Sequence, residues 1–391
     1  MLGPHRHLWL NLAVPRHPKH RLPDLRKGNG GPIYWVSSVL LLAVVGWLWW
    51  QSGKTKSPEA LHKPAPVVSM AKLAVPTQST VITRPFTTPP PARVIAPLPL
   101  PQPAGFPYPA RDVFETQLAL ARNGISSGSL DGVMGSQTRS ALSAFQRKVG
   151  LVETGQLDAA TKARLLLETP PLVTCIVTSN DLARLQPLSK TWLGKSQQAV
   201  LDYETILELV AEKGHASPYL VRRLNPEIDW TNVVAGTEVR IPDVAYPHPA
   251  MKAAFAVISL AGKKLEVFGA NTNVLAHFPC SIAARVEKRP SGELRVTAIA
   301  PNPDYTFNPE VFPESAEARE IKTKLVLPPG PNNPVGVAWI SLDLPGYGIH
   351  GTPSPEQVGR TESHGCFRLA NWNAEYLLKL AWVGMPVYVE P

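Results

Sequence analysis

The chain has 391 residues, a net charge of +9, an apolar fraction of 44% and 42 prolines. That length accommodates two or three domains, and proline at about twice its usual share assigns part of the chain to linker. The positive excess is spread along the chain, with no basic patch interleaved with aromatics. This speaks against nucleic acid as a partner and leaves room for a polyanionic polymer.

Three cysteines, Cys175, Cys280 and Cys366, show no C-x-x-C spacing, so they build no metal ribbon, and nothing in the chain implies a cofactor. In an oxidising compartment Cys175 and Cys280 could pair and leave Cys366 free; equally, both could be unpaired buried thiols.

Residues 1–32 form a basic tail with Arg6, Arg16, Lys19, Arg21, Arg26 and Lys27 against one acid, Asp24. Residues 33–50 (IYWVSSVLLLAVVGWLWW) carry no charge, and Trp47, Trp49 and Trp50 suit a membrane interface. The expectation is a single transmembrane anchor with a cytoplasmic N-terminus, which places everything after Trp50 in the periplasm or cell envelope. A cleaved signal peptide is the rival, although its apolar stretch is shorter and small residues follow it. Residues 51–109 hold fourteen prolines and almost no acids. Such a stretch cannot bury a core and reads as an extended spacer, reaching beyond ~100 Å at about 3 Å per residue.

Residues 110–168 read as three short helices. The first runs from Asp112 to about Asn123 and stops at Gly124. The second follows Ser136 as a cap and stops at Gly150, and the third starts at Asp158. Through Asp131-Gly132, Gly135, Thr138, Ala141-Leu142, Phe145-Gln146, Gly155 and Asp158 the segment resembles the peptidoglycan-binding helical domain. A three-helix packing module without a ligand is the plainer alternative.

Residues 200–243 suggest two helices and a strand, with Ser217-Pro218 as a cap followed by an N1 proline. The unit resembles a LysM module, a small βααβ glycan-binding fold, but its usual Gly-Asp-Thr start is here Tyr203-Glu204-Thr205. From 250 to 391 the pattern turns to strands. Phe255–Leu260 and Leu265–Phe268 flank a turn as in a hairpin, and further strands are expected at 276–282, 294–299 and 337–342. A Pro/Asn-rich loop is expected over a site at 301–334, and one helix at 371–380.

The densest chemical signal is His350-Gly351-Thr352 followed by Ser363-His364-Gly365-Cys366-Phe367-Arg368. Acyl transfer needs a nucleophile, a base, an orienter for the base and donors for the oxyanion. Cys366 is the candidate nucleophile and His350 the candidate base, its tautomer held by the carbonyl of Gly351. His364 is the candidate for orienting the loop or lowering the thiol pKa. Gly365 permits a tight turn, so that its N–H and that of Cys366 can face an oxyanion. Arg368, Ser363 and Tyr347 are candidate substrate contacts, Arg368 toward a carboxylate.

With Arg289-Pro290-Ser291-Gly292-Glu293-Leu294, Asn333-Pro334-Val335-Gly336 and Tyr347–Thr352, this constellation resembles the L,D-transpeptidase catalytic domain over roughly residues 253–390. The resemblance implies an all-β, β-sandwich-like catalytic domain within a multidomain α+β chain. It also implies a Cys/His mechanism that cleaves before the terminal D-Ala of a tetrapeptide stem and passes the acyl group to an amine of a neighbouring stem. L,D-carboxypeptidase action, protein attachment to peptidoglycan, a zinc hydrolase using His350, His364 and Cys366, and a non-catalytic wall-binding scaffold remain as alternatives.

Overall fold

The computed structural model describes residues 105–391 apart from 313, 314, 362 and 364. The basic tail, the span expected at 33–50 and nearly all of the linker lie outside these residues, as does His364. No helix among the described residues is long and apolar enough to cross a membrane.

The last residues assigned to the linker belong to the helical domain. Strand β1 (Tyr108–Pro109) pairs antiparallel with β2 (Leu166–Leu167) and ties the two ends of that domain together. Helix α1 (Val113–Arg122) starts where the Asp112 carboxylate accepts from the Glu115 N–H, a cap worth about 1 kcal/mol. Helix α2 (Ser136–Lys148) begins one residue earlier than expected: Gly135 is its N-cap and Ser136 its first residue. Helix α3 (Ala159–Arg164) follows the Asp158 cap. Leu118, Leu142, Phe145 and Leu165 are buried and fill the space between the helices.

The next unit is strand, helices, strand. Strand β3 (Leu172–Ile176) pairs antiparallel with β4 (Glu238–Pro242). Between them lie the short helices α4 (Ser179–Ala183) and α5 (Trp192–Ser196), then α6 (Ile206–Lys213) and α7 (Pro218–Leu224). Thr205 caps α6, and Ser217 caps α7 with Pro218 in the first turn. The strand that pairs with β4 thus lies before the two short helices, upstream of residue 200.

The third unit is an eight-stranded sheet in the order β13-β12-β11-β8-β14-β5-β6-β7. Its strands are β5 (Phe255–Ser259), β6 (Lys264–Phe268), β7 (Val274–Pro279), β8 (Gly292–Pro301), β11 (Ala338–Leu342), β12 (Gly348–His350), β13 (Phe367–Arg368) and β14 (Pro386–Glu390). Strand β8 joins two halves: Gly292–Arg295 pairs with β14 and Val296–Pro301 with β11. Helix α9 (Asn371–Leu380) contributes Ala374, Tyr376, Leu377 and Leu380 to the buried core. The domain is thus a sheet with a structural helix, not all-β.

The stretch at 301–334, expected as a loop, is an ordered flap. Strand β9 (Tyr305–Phe307) pairs with β10 (Leu325–Leu327), and helix α8 (Ala316–Glu320) lies between them. The flap shares a separate apolar cluster with the 188–201 segment of the preceding unit, built on Leu201, Phe307, Ala318 and Leu327. Trp192 stacks on Phe307, centroids 4.3 Å apart, and the Glu317 carboxylate accepts the N–H groups of Trp192 and Leu193 at 2.9 and 3.0 Å. Asn332 closes the seam by donating to the Asp202 carbonyl and the Glu208 carboxylate.

Trp192→Ala should therefore free the flap. Because Trp192 is half-buried, the expected cost is about 2 kcal/mol, below that of a fully buried tryptophan. Cleavage within 305–327 should accelerate in limited proteolysis. An unchanged cleavage rate would show that this stack does not hold the flap.

Candidate functional site

The site forms where β11, β12 and β13 run side by side. Strands β12 and β13 are parallel, with Ile349 opposite Phe367 and His350 opposite Arg368. Side chains alternate along a strand. Ile349 and Phe367 point into the core, where both are 1% exposed. His350 and Arg368 take the other face, and Cys366, one residue before Phe367, opens onto that same face.

The Cys366 thiol lies 3.4 Å from the Gly346 carbonyl, to which it donates. Burial raises its pKa, and a hydrogen bond from the Gly348 backbone works in the opposite direction. The His350 Nδ1 lies 2.6 Å from the Gly351 carbonyl. That contact fixes Nδ1 as the protonated nitrogen of the neutral ring and leaves the Nε2 lone pair free to act as a base. Burial lowers the His350 pKa to about 4, so the ring is neutral at physiological pH. Trp339, on the neighbouring strand, stacks on the ring with centroids 5.4 Å apart.

The turn before Cys366 is closed by Ser363. Its hydroxyl donates to the Cys366 carbonyl at 2.5 Å and accepts from the Gly365 N–H at 3.3 Å. Ser363 is buried, and both of these hydrogen bonds of its hydroxyl lie within the turn. The Gly365 N–H, expected toward an oxyanion, is likewise turned to Ser363. The Tyr347 hydroxyl donates to the Lys288 carbonyl at 2.9 Å, and the tyrosine ring lies against Gly365. Arg368 donates to the Thr361 hydroxyl.

Three residues of the site escaped the sequence reading. Trp339 is one. Asn371, 1% exposed, donates to the Pro331 carbonyl and accepts from the Val337 N–H. It also lies against Gly336 and Gly351: a Cβ on Gly336, at φ +62°, would meet the Asn371 Oδ1 at 2.0 Å. Asn371 thus fixes the loop that presents the Gly351 carbonyl to His350. The third is Tyr305, on the flap, whose hydroxyl is pushed up to about 12 by burial and then by the charge that Cys366 carries when ionised. That coupling puts the Tyr305 hydroxyl within electrostatic range of the thiol. No signal short of the fold marks these three as site residues.

Cys280 is 0% exposed in the sheet core, and burial raises its thiol to about 12. Cys175, on β3, is also a free thiol, so the two do not pair.

Comparison with known proteins places these observations. Residues 253–389 match the L,D-transpeptidase catalytic domain and residues 110–165 a peptidoglycan binding domain. YkuD of Bacillus licheniformis, assigned as an L,D-transpeptidase, is 24% identical over 185 residues, which are 47% of this chain and 93% of that protein. YqjB of Bacillus subtilis, with the same assignment, is 34% identical over 105 residues, 26% of this chain and 51% of its own length. An L,D-transpeptidase structure from Mycobacterium smegmatis aligns at 19% identity and a TM-score of 0.28, covering 41% of this chain and 65% of that one. Residues 253–389 are an L,D-transpeptidase catalytic domain, residues 110–165 a peptidoglycan-binding domain, and the chain that carries both is an L,D-transpeptidase enzyme.

Proposed function

We propose that the protein is a membrane-anchored peptidoglycan L,D-transpeptidase that works through a thioester on Cys366. The observation that carries this reading is the shared face of β12 and β13: a thiol beside the Gly348 N–H, and a neutral imidazole whose tautomer is fixed by Gly351. His350 removes the thiol proton, and the thiolate attacks the carbonyl before the terminal D-Ala of a tetrapeptide stem. The C–N bond breaks, and the leaving amine takes the proton from His350. An amine of a second stem then attacks the thioester, gives its proton to His350 and regenerates the thiol, leaving an amide cross-link. The Cys366 and Gly348 N–H groups are the candidate oxyanion donors.

The anchor at 33–50 and the spacer set the reach of the enzyme into the wall. The LysM-like unit at 200–243, whose helices α6 and α7 lead into β4, together with the helical domain raises the local concentration of the enzyme on peptidoglycan. Water in place of the acceptor amine would make the same site an L,D-carboxypeptidase. Incubation with purified tetrapeptide-stem muropeptides separates these outcomes. Cross-linked dimers with release of one D-Ala per link are the expected product; tripeptide monomers alone would indicate the carboxypeptidase, and unchanged substrate would refute the reading.

A further inference from the structure

A cleft of about 310 Å³ lies between the helical domain and the catalytic sheet, and no step of the chemistry at Cys366 uses it. One wall is the first turn of α2. Its N-cap, Gly135, makes no side-chain cap and its first turn holds no acid, so the positive end of a thirteen-residue helix is left uncompensated. The opposite wall brings Lys263 from the turn between β5 and β6 and Lys264 from the start of β6, with Arg360 also lining the cleft.

Two lining side chains hold buried polar atoms without a hydrogen-bond partner: the Ser127 hydroxyl, on a residue 4% exposed, and the Nε2 of His277, on a residue 0% exposed. Unpaired buried polar atoms are rare and costly, and here both belong to one cleft. The Nδ1 of His277 lies 3.2 Å from the Glu266 carboxylate. His277 and the neighbouring Lys264 and Arg147 hold that carboxyl at about 2, so it is ionised and His277 Nε2 offers a lone pair. One acid faces the cleft, Asp131, which accepts from Gln117 and the Val133 N–H and lies 3.9 Å from Arg360. Donors and cations therefore dominate, with one acceptor on the floor.

We propose that this cleft is a second peptidoglycan subsite, gripped jointly by the helical and catalytic domains, which takes a stem-peptide carboxylate together with its neighbouring amide N–H. The proposal rests on peptidoglycan as the polymer bound and is independent of the reaction at Cys366. The joint walls make the catalytic sheet part of the binding site, so that wall attachment fixes the orientation of the transpeptidase domain.

The test uses the full chain with Cys366 alkylated to block the catalytic cleft, titrated calorimetrically with a disaccharide-tetrapeptide muropeptide. Binding is expected, the part due to this cleft being what the changes below remove. Lys263→Ala combined with Arg360→Ala should weaken it at least about tenfold. Gly135→Asp should abolish it without lowering the melting temperature. A Cβ at Gly135 meets nothing within 4 Å, and an Asp cap supplies the helix with its own carboxylate. A muropeptide with amidated stem carboxylates should bind at least about tenfold more weakly. Equal binding by Gly135→Asp, by the amidated muropeptide or by the stem-free disaccharide would overturn the proposal. Turnover of muropeptides by the unalkylated chain is read separately, so loss of this subsite and loss of the transpeptidase reading give different results.

Discussion

Replacing Cys366 with Ala is expected to lower turnover of tetrapeptide stems by at least ~10³-fold while leaving the melting temperature within a degree or two. The kinetic loss follows because no second thiol can substitute. Cys280 is sealed in the sheet core with its pKa raised to about 12, and Cys175 sits on β3, outside the catalytic sheet. The small stability effect follows because the Cys366 side chain faces the site rather than the core. The same asymmetry predicts alkylation: iodoacetamide should label Cys366 and spare Cys280 in the folded chain, as peptide mapping would show. Residual turnover in the Cys366→Ala chain, with Cys280→Ala and Cys175→Ala as controls, would remove Cys366 from the chemistry.

His350→Ala should lower kcat by about 10²–10⁴-fold, the usual contribution of a general base. The pH dependence makes this sharper. In the folded chain burial holds the ring at about 4, against about 6.5 for a free histidine. The base therefore stays neutral well below pH 6.5, and the acid limb of kcat/KM should fall below the ordinary histidine range. Stability carries the same signature. The unfolded chain takes up a proton near 6.5 and the folded chain only near 4, so acid favours unfolding between these values. The contribution is fully present above pH 6.5, is lost as pH falls toward 4, and amounts to about 3 kcal/mol. His350→Gln should flatten that part of the stability profile. An acid limb near 6.5, or an unchanged profile in the variant, would contradict the buried neutral base.

Much of the site was legible because its reacting groups are adjacent in sequence. The runs His350-Gly351 and Ser363–Arg368 carry their own geometry: β12 delivers His350, the next carbonyl holds its tautomer, and a tight turn delivers Cys366. Local signals also placed the helix starts near Asp112 and Asp158, the Ser217 cap, the β5–β6 hairpin and helix α9. What escaped depends on distant partners. The five residues of β3 become a strand by pairing with β4 across four intervening helices. The flap reads as a loop because its apolar residues are few and widely spaced, and their cluster is completed by Trp192 and Leu201 from far away in the chain. Trp339, Asn371 and Tyr305 look like ordinary strand and helix residues until the sheet brings them to His350 and Cys366. Ser363, a polar residue beside the nucleophile that reads as a substrate contact, also has a part that the sequence does not announce: its hydroxyl bonds within the turn.

The helical domain and the catalytic sheet are joined by direct contacts. The Ser126 N–H donates to the His277 carbonyl at 2.8 Å, extending the β7 edge of the sheet, and Arg147 of α2 pairs with Glu266 of β6. Wall binding and chemistry are thus mechanically joined, and the flap that carries Tyr305 is held by a segment outside the catalytic domain. A transpeptidase assembled in this way presents its thiol in a fixed relation to whatever the helical domain grips.

The most direct test is the mass of the intact protein after brief incubation with a tetrapeptide muropeptide and an acid quench. The account predicts an adduct equal to the muropeptide less one alanine, carried on the peptide that contains Cys366. Turnover with no adduct, or an adduct on any other residue, would contradict it.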